Sequence, residues 1–348
     1  MLRLPPFIFR PARSLEDAAS LLAGEGAAEG RARLVAGGTD LWPNMKRRHQ
    51  KAETVIGLAS VPELRGISAD GELTLGATAT LTEVERHPVV RERWPALARA
   101  VRSISSPPLR NMGTVGGNVC VDTRCTYYNQ TEEWRRSIDY CMKEEGEICW
   151  VAPSSPRCWA HSASDSAPML AALRARIHLA SHEGELQERV LDLEDLYNND
   201  GIDYLAKRPE EIVTRILVPE GSDAGYCRSA FWKLRRRGSI DFAVLSVGAA
   251  VWLDGDGPDA EVTDARIFLG AVASYPVPAK KTVEALIGRR LDEETIAEAA
   301  AVARKHATPM DNTDFQAQWR GAVVGKYVEA ALRECAGLPV ERLTPRHG

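Results

Sequence analysis

The chain has 348 residues, of which 44% are hydrophobic and 26% are charged, and its formal net charge is -4 at pH 7. At about 150 residues per domain this length predicts about two or three domains, and the composition excludes collagen-like, disordered and small disulfide-rich proteins. The acidic balance argues against nucleic acid as the main partner, and without a membrane-length apolar run or a signal-peptide core we expect a cytoplasmic protein.

The apolar spacing and turn residues of the first third of the chain predict alternating short helices and strands. Ser14 is placed to cap the first helix because Asp17 follows three residues later. Asp70-Gly71 is a strong hairpin signal. The predicted elements are a helix over 14–24, strands over 34–36 and 53–58, a hairpin over 69–77 and a helix over 92–104.

The later part of the chain places strands before helices. Residues 166–181 are predicted to be a buried segment that leads into a strand. Strands followed by helices are typical of an α+β domain, which we place from about residue 209 to the end. The predicted elements are strands over 211–218, 228–235, 242–252 and 265–272, and helices within 282–288, 291–307 and 315–335.

Two glycine-rich segments share a pattern. VAGGTD, residues 35–40, directly follows a predicted strand, and TVGGN, residues 114–118, repeats the two glycines. Glycine permits positive φ and close approach to a ligand, and successive exposed amides form an anion nest. The segments are candidates to bind the two phosphates of a dinucleotide, or they are two unrelated tight turns. Neither matches GxGxxG or GxxxxGK[ST], which argues against a Rossmann or P-loop assignment.

Five of the seven cysteines fall between residues 120 and 158. In a reducing compartment such a dense segment is more typical of a metal or catalytic site than of disulfides. Four of them satisfy the ligand count of a [4Fe–4S] cluster or a Cys₄ zinc site, although the spacing matches neither ferredoxins nor zinc ribbons. The pattern alone leaves open whether these thiols bind metal or are incidental. Residues 119–161 show no helical or strand period, so we interpret them as an irregular insertion.

Two charged residues after the insertion are candidate cofactor contacts. Asp165 could accept hydrogen bonds from a ribose or a ring N–H, or it could cap a turn or helix. Lys233 lies on a predicted strand, where an ammonium near a flavin ring would stabilise a reduced, anionic state. The alternative for Lys233 is a solvated strand face, and the residues alone leave both questions open.

Together the two glycine segments resemble those of the FAD-binding subunit of the xanthine dehydrogenase (molybdenum hydroxylase) family. The order of the predicted elements fits this family along essentially the whole chain. The insertion indicates one member of this family. It contains the run DTRCTYYNQ, followed by WRR, YC and two further cysteines. In these features it is similar to the insertion in the β subunit of 4-hydroxybenzoyl-CoA reductase, which carries an extra [4Fe–4S] cluster.

The resemblance implies an α+β fold. It consists of a two-subdomain FAD-binding fold of the vanillyl-alcohol-oxidase (PCMH) type and a C-terminal α+β domain with an antiparallel sheet and helices. The FAD-binding domain would cover 1–208, with 119–161 as an inserted [4Fe–4S]-binding loop, and the C-terminal domain would cover 209–348.

The resemblance also implies the cofactor contacts, with no catalytic residue in this chain. The cluster ligands would be Cys125, Cys141, Cys149 and Cys158. The FAD contacts would be Leu34, Val35, Ala36, Gly37, Gly38, Thr39, Asp40, Leu41, Ile104, Thr114, Val115, Gly116, Gly117, Asn118, Asp165 and Lys233.

The resemblance finally implies an electron-transfer subunit of an oxidoreductase, assembled as a dimer of heterotrimers. A large subunit would hold the molybdenum cofactor, and a small one would hold two [2Fe–2S] clusters. Electrons would pass from reduced ferredoxin through [4Fe–4S], FAD and [2Fe–2S] to molybdenum, where 4-hydroxybenzoyl-CoA is dehydroxylated to benzoyl-CoA in aromatic degradation. Alternatives are the FAD subunit of another molybdenum hydroxylase that passes electrons to NAD or a quinone, a protein with a Cys₄ zinc module, and a stand-alone FAD oxidoreductase.

Overall fold

The computed structural model describes residues 2–220, 226–257, 259–340 and 343. Its strands form three sheets of three, five and four strands, with helices packed against them. This arrangement confirms the predicted α+β fold. Within the described ranges, no helix is both long enough and apolar enough to span a membrane.

The N-terminal sheet consists of β1 (Ile8–Pro11), β2 (Ala32–Val35) and β3 (Thr54–Gly57), joined by helices α1 (Leu15–Gly24) and α2 (Leu41–Lys46). All its strands are parallel, in the order β1-β3-β2. Ser14 caps α1 as predicted, since its hydroxyl accepts a hydrogen bond from the Asp17 amide at 3.1 Å. The first glycine segment leaves β2 at the carboxyl edge of the sheet, where parallel sheets bind ligands.

An antiparallel sheet is formed by β4 (Ile67–Ser68), β5 (Leu73–Gly76), β6 (Arg176–His182), β7 (Leu186–Asp192) and β8 (Ile212–Val218). The predicted hairpin over 69–77 is confirmed as the β4–β5 pair, with Gly71 at a φ of +84. Strand β8 is hydrogen-bonded on both edges, to β5 and β6. A domain division after residue 208 would separate β8 from both partners, so we propose that the first domain extends through β8.

Helices α3 (Leu81–Arg86), α4 (Pro88–Arg93) and α5 (Pro95–Arg102) share a hydrophobic core with this sheet. The prediction of one helix over 92–104 is wrong at its start, because the chain leaves helical geometry at Trp94. Pro95 causes this break, since proline has no N–H and restricts the residue before it. Two short helices follow, α6 (Pro107–Arg110) and α7 (Val115–Val119).

The C-terminal sheet contains β9 (Tyr226–Leu234), β10 (Leu245–Leu253), β11 (Val262–Gly270) and β12 (Val277–Pro278), with helices α10 (Lys280–Glu284), α11 (Glu293–Ala303) and α12 (Ala317–Cys335). Strand β10 is buried along its whole length, between α12 and α9 (Ala167–Ala172), a helix from the first part of the chain. That helix approaches so closely that a Cβ on Gly248 would lie 2.6 Å from the Pro168 carbonyl oxygen. This packing fixes the two halves of the chain relative to one another.

Residues 119–161 are irregular, as predicted, and contain one short helix of their own, α8 (Glu132–Ser137). Main-chain hydrogen bonds of 2.9 and 2.8 Å between Arg124 and His161 close the insertion at its base. Arg135 is 1% exposed, and its guanidinium binds the carboxylates of Glu132 and Glu144. The insertion is therefore held by buried polar contacts rather than by regular secondary structure.

Candidate functional site

The loop after β2 presents unpaired backbone amides. Within the part of the chain that the structure describes, the amides of Gly37, Gly38, Thr39 and Asp40 donate to no protein acceptor. Gly38 has a φ of +69, in the left-handed region that favours glycine. Successive unpaired amides form an anion nest. The loop can therefore bind a phosphate without losing an internal hydrogen bond.

Both glycines of this loop are in tight contact with their neighbours. A Cβ on Gly37 would collide with the carbonyl oxygen of Met112, and a Cβ on Gly38 would collide with the Trp42 indole. Because Met112 lies two residues before the second glycine segment, the two segments lie side by side.

The second glycine segment begins helix α7 and is not a turn with exposed amides. The Thr114 hydroxyl accepts from the Gly117 amide at 3.1 Å, and the Gly116 amide donates to the Ala77 carbonyl at 3.0 Å. A Cβ on Gly116 would lie 2.8 Å from Ala77, so this glycine permits close packing. Of the alternatives that the sequence left open for this segment, a second anion nest is not what the structure has, because the protein uses these amides itself.

A buried ion pair connects the two halves of the chain beside the cleft between them. The Asp165 carboxylate accepts from Lys233 Nζ at 2.6 Å, and the two side chains are 5% and 4% exposed. Lys233 also donates to the Ser103 and Asp241 carbonyls, so its three N–H groups are used. Lys233 therefore does not lie on a solvated strand face, and Asp165 does not cap a helix, which were the alternatives for these two residues.

One oxygen of Asp165 remains available to a ligand. Its Oδ1 is buried and has no hydrogen-bond partner among the residues that the structure describes, and Asp165 lines the cleft. Burial raises the pKa of Asp165, and the Lys233 ammonium opposes this rise. A buried acceptor without a partner is costly, so a donor on a bound ligand would stabilise it.

All but two of the predicted FAD contacts line a single large cleft. The cleft lies between the parallel sheet, the antiparallel sheet and a loop of the C-terminal part of the chain. The exceptions are Val115, which is fully buried in the core, and Lys233, which reaches the cleft only through Asp165. The lining set is Leu34, Val35, Ala36, Gly37, Gly38, Thr39, Asp40, Leu41, Ile104, Thr114, Gly116, Gly117, Asn118 and Asp165.

The sequence analysis missed Arg124, which connects the cleft to the insertion. Its guanidinium forms an ion pair with Asp40 and donates to Asn44 Oδ1 at 3.2 Å. Phe242 covers the guanidinium, with its ring centre 5.0 Å from Arg124 Cζ. The sequence does show a basic residue next to the predicted cluster ligand Cys125. It does not show the ion pair, because Asp40 lies 84 positions away along the chain.

A second, smaller cavity lies within the insertion. The four predicted cluster ligands are between 5% and 8% exposed. They line one small cavity, whose walls also include Tyr127, Tyr128 and Trp150. Cys125 lines both this cavity and the large cleft. The structure therefore brings together all four cysteines that the sequence analysis selected.

The protonation of these thiols depends on what they bind. Burial raises the pKa of Cys125 to about 11 and that of Cys158 to about 12. Both would keep their protons at neutral pH unless a metal centre displaced them, since metals bind the thiolate. Among the described residues, no three His, Cys, Asp or Glu side chains are close enough to hold one metal ion.

Comparison with known proteins identifies the family. Residues 6–221 match the family described as FAD binding domain in molybdopterin dehydrogenase, and residues 229–335 match the CO dehydrogenase flavoprotein C-terminal domain. The chain belongs to the FAD-binding medium subunits of the xanthine dehydrogenase and CO dehydrogenase family. The family and the FAD cofactor predicted from the glycine segments are confirmed, and the chain is an oxidoreductase subunit.

Several relatives of this FAD subunit align over most of its length. The chain is 28% identical over 265 residues to the nicotinate dehydrogenase FAD-subunit of Eubacterium barkeri, covering 76% of this chain and 74% of that one. It is 26% identical over 330 residues to the carbon monoxide dehydrogenase medium chain of Hydrogenophaga pseudoflava, covering 94% and 96%. A solved structure of CO dehydrogenase from that organism superposes with a TM-score of 0.75 at 23% identity, covering 96% of this chain and 99% of that one, which shows the shared fold.

Proposed function

We propose that this FAD subunit also carries a [4Fe–4S] cluster and serves a molybdenum enzyme similar to 4-hydroxybenzoyl-CoA reductase. The cysteine cavity carries the proposal, because it places Cys125, Cys141, Cys149 and Cys158 around one largely enclosed space beside the flavin cleft. Four thiols satisfy the ligand count of the cluster.

The first glycine loop and Asp165 are the proposed main contacts of FAD. The amides of residues 37–40 would bind the pyrophosphate, and Asp165 Oδ1 would accept from an N–H or O–H of the cofactor. Lys233 would hold the Asp165 carboxylate in place. Ile104 and the residues of 114–118 that line the cleft would complete the contact surface. FAD, when bound, supplies a centre that exchanges one or two electrons.

In this proposal the chain relays electrons and the organic substrate is reduced elsewhere. 4-Hydroxybenzoyl-CoA would be dehydroxylated on a large molybdenum subunit, and a small subunit would hold two [2Fe–2S] clusters. The names of the relatives, a medium chain and an FAD-subunit, support an assembly of several subunits. We further propose a dimer of heterotrimers that receives electrons from reduced ferredoxin.

A second candidate function is the FAD subunit of a molybdenum hydroxylase that passes electrons outward to NAD or a quinone. The relatives favour this alternative, since their names describe dehydrogenases of nicotinate and of carbon monoxide. The two functions differ in the direction of electron flow. Stopped-flow measurement of flavin absorbance in the purified complex separates them: reduction by ferredoxin supports the first, and reoxidation by NAD or a quinone supports the second.

Analysis of metal, sulfide and flavin in one anaerobically purified sample tests the cluster. We expect about four irons, about four acid-labile sulfides and about one FAD per chain. About one zinc and no sulfide would overturn the cluster and the reductase proposal with it. Flavin without iron or zinc would also overturn the cluster. The chain would then be an FAD subunit of the family whose insertion contains thiols that bind no metal.

A further inference from the structure

Lys143 is buried between the two cavities. Its side chain is 5% exposed, and its Nζ donates to Asp122 Oδ1 at 2.7 Å and to Thr123 Oγ1 at 2.7 Å. The Gly201 carbonyl accepts the third hydrogen bond at 2.5 Å. An amine nitrogen that donates three hydrogen bonds is an ammonium, so these contacts hold a positive charge at a fixed position.

One side of Lys143 faces the cysteine cavity, whose wall it forms together with the four thiols. Its Nζ lies 5.0 Å from the centre of the Tyr128 ring, another wall of that cavity. Gly201 packs directly against a proposed ligand, since a Cβ there would lie 2.6 Å from Cys158 Sγ. Lys143 is therefore part of the cavity wall, and its carbonyl acceptor Gly201 packs against that wall at Cys158.

The other side of Lys143 faces the flavin cleft. Its partner Asp122 lines that cleft, as does Tyr204, whose ring centre lies 5.3 Å from Lys143 Nζ. Asp122 is 5% exposed and accepts a further hydrogen bond from Gln50 at 3.3 Å. The cation thus lies nearer the cysteines, and its counter-charge lies on the flavin side.

We propose that Lys143 is a positioning residue that raises the reduction potential of the centre held by the four cysteines. The inference rests on the proposed [4Fe–4S] cluster. Reduction adds one electron to that centre and breaks no bond, so the reduced form carries one more negative charge. A buried ammonium at the cavity wall stabilises the reduced form, because the protein interior screens charge weakly. Net charge near a cluster is one of the factors that set its potential.

Potentiometric titration of the complex with dithionite as electron donor, followed by electron paramagnetic resonance, tests the role of Lys143. We expect Lys143→Gln to disfavour reduction about tenfold, which corresponds to about 59 mV lower potential for a one-electron couple. Lys143→Arg keeps the positive charge, so its equilibrium constant for reduction should stay within about threefold of the wild-type value. Asp122→Asn should shift the potential upward, and the double variant should return toward the wild-type value. Lys51→Gln is the matched control, since that lysine is 74% exposed beside the insertion.

The outcomes separate this inference from the proposed function. Absence of iron and sulfide from the wild-type complex overturns the cluster and this inference together. A full complement of iron and sulfide in Lys143→Gln with an unchanged potential overturns the role of Lys143 alone. If that variant loses the cluster, Asp122→Asn decides: an upward shift supports the role of this charge pair, and no shift contradicts it.

Discussion

Glycines with the same sequence pattern have different roles in this protein. Gly37 and Gly38 belong to a loop that lines the cleft, and its amides donate to no acceptor in the described part of the chain. Gly116 instead allows helix α7 to pack against Ala77. The positive φ of Gly38 and its contact with Trp42 leave no space for a side chain. We therefore propose that the first segment, and not the second, binds the phosphates.

We expect Gly38→Val to reduce FAD content at least tenfold, because the new side chain would collide with Trp42 and distort the anion nest. Flavin per chain, measured by absorbance after purification, checks this. Gly184→Val is the matched control, since Gly184 has a φ of +86 and open space around its Cβ position. Equal flavin content in the two variants would contradict the assignment of the pyrophosphate loop.

His161, which pairs with Arg124 at the base of the insertion, is fully buried and must be neutral. Burial lowers its pKa to about 3, with a contribution from Arg320. The ordinary value of 6.5 applies to the unfolded chain, so between pH 6.5 and about 3 the unfolded state binds one more proton. Stability therefore falls as pH falls through this window, by up to about 1.4 kcal/mol per pH unit from this residue.

His161→Gln should make the stability of the protein less dependent on pH. Between pH 6.5 and 5.0 we expect the wild type to lose about 2 kcal/mol more than the variant in its free energy of unfolding. Urea unfolding at both pH values measures the difference, and the other titratable groups are common to both proteins. Parallel pH profiles would show that His161 does not control acid sensitivity.

At the scale of the element, the insertion depends on one buried arginine. The Arg135 guanidinium connects the insertion's own helix, Glu132–Ser137, to Glu144 and to the Arg47 carbonyl just after α2. These contacts dock the insertion onto the segment that follows the first glycine loop. Because Glu144 is only 9% exposed on its side chain, it is poorly solvated without Arg135.

Arg135→Met should destabilise the insertion by about 3 kcal/mol, since removal of one partner leaves a buried charge uncompensated. Limited proteolysis, together with urea unfolding, detects the opening of residues 119–161. Arg136→Met on the same helix is the control: Arg136 is 71% exposed, and we expect a change within about 0.5 kcal/mol. A similar loss in both variants would contradict a specific role for Arg135.

At the scale of the whole molecule, two cavities share one wall. Cys125 lines both, and its neighbour Arg124 reaches Asp40 of the glycine loop. Most of the flavin cleft is nevertheless built from the two sheets and the C-terminal part of the chain, outside the insertion. Loss of the proposed cluster should therefore leave the FAD site largely intact.

Cys141→Ser should remove the cluster while the protein keeps its FAD, because serine is a poor substitute for a thiolate ligand. Iron, acid-labile sulfide and flavin are measured on the same sample. Cys227→Ser, a change at a free cysteine on β9, is the control and should keep all three. Full iron and sulfide in the first variant would show that the proposed ligand set is wrong.

Most elements were predictable because their signals are local along the chain. The Ser14 cap, the Asp70-Gly71 hairpin and the glycine loop after β2 each depend on residues within a few positions. The helix predicted over 92–104 begins later, at Pro95, because proline restricts the backbone of Trp94. This effect is also local along the chain. The role of the second glycine segment could not be read locally, since the Gly116 amide donates to Ala77, which directly follows β5.

The sequence by itself determined the family, the FAD cofactor, the α+β fold and the four cysteines to examine, because motifs and apolar periodicity are read along the chain. Only the tertiary structure decided that those cysteines share one cavity and that the second glycine segment uses its own amides. It alone placed Lys143 between the cavity and the cleft. Such contacts join residues distant in sequence, and burial and charge pairing become defined only when the chain is folded.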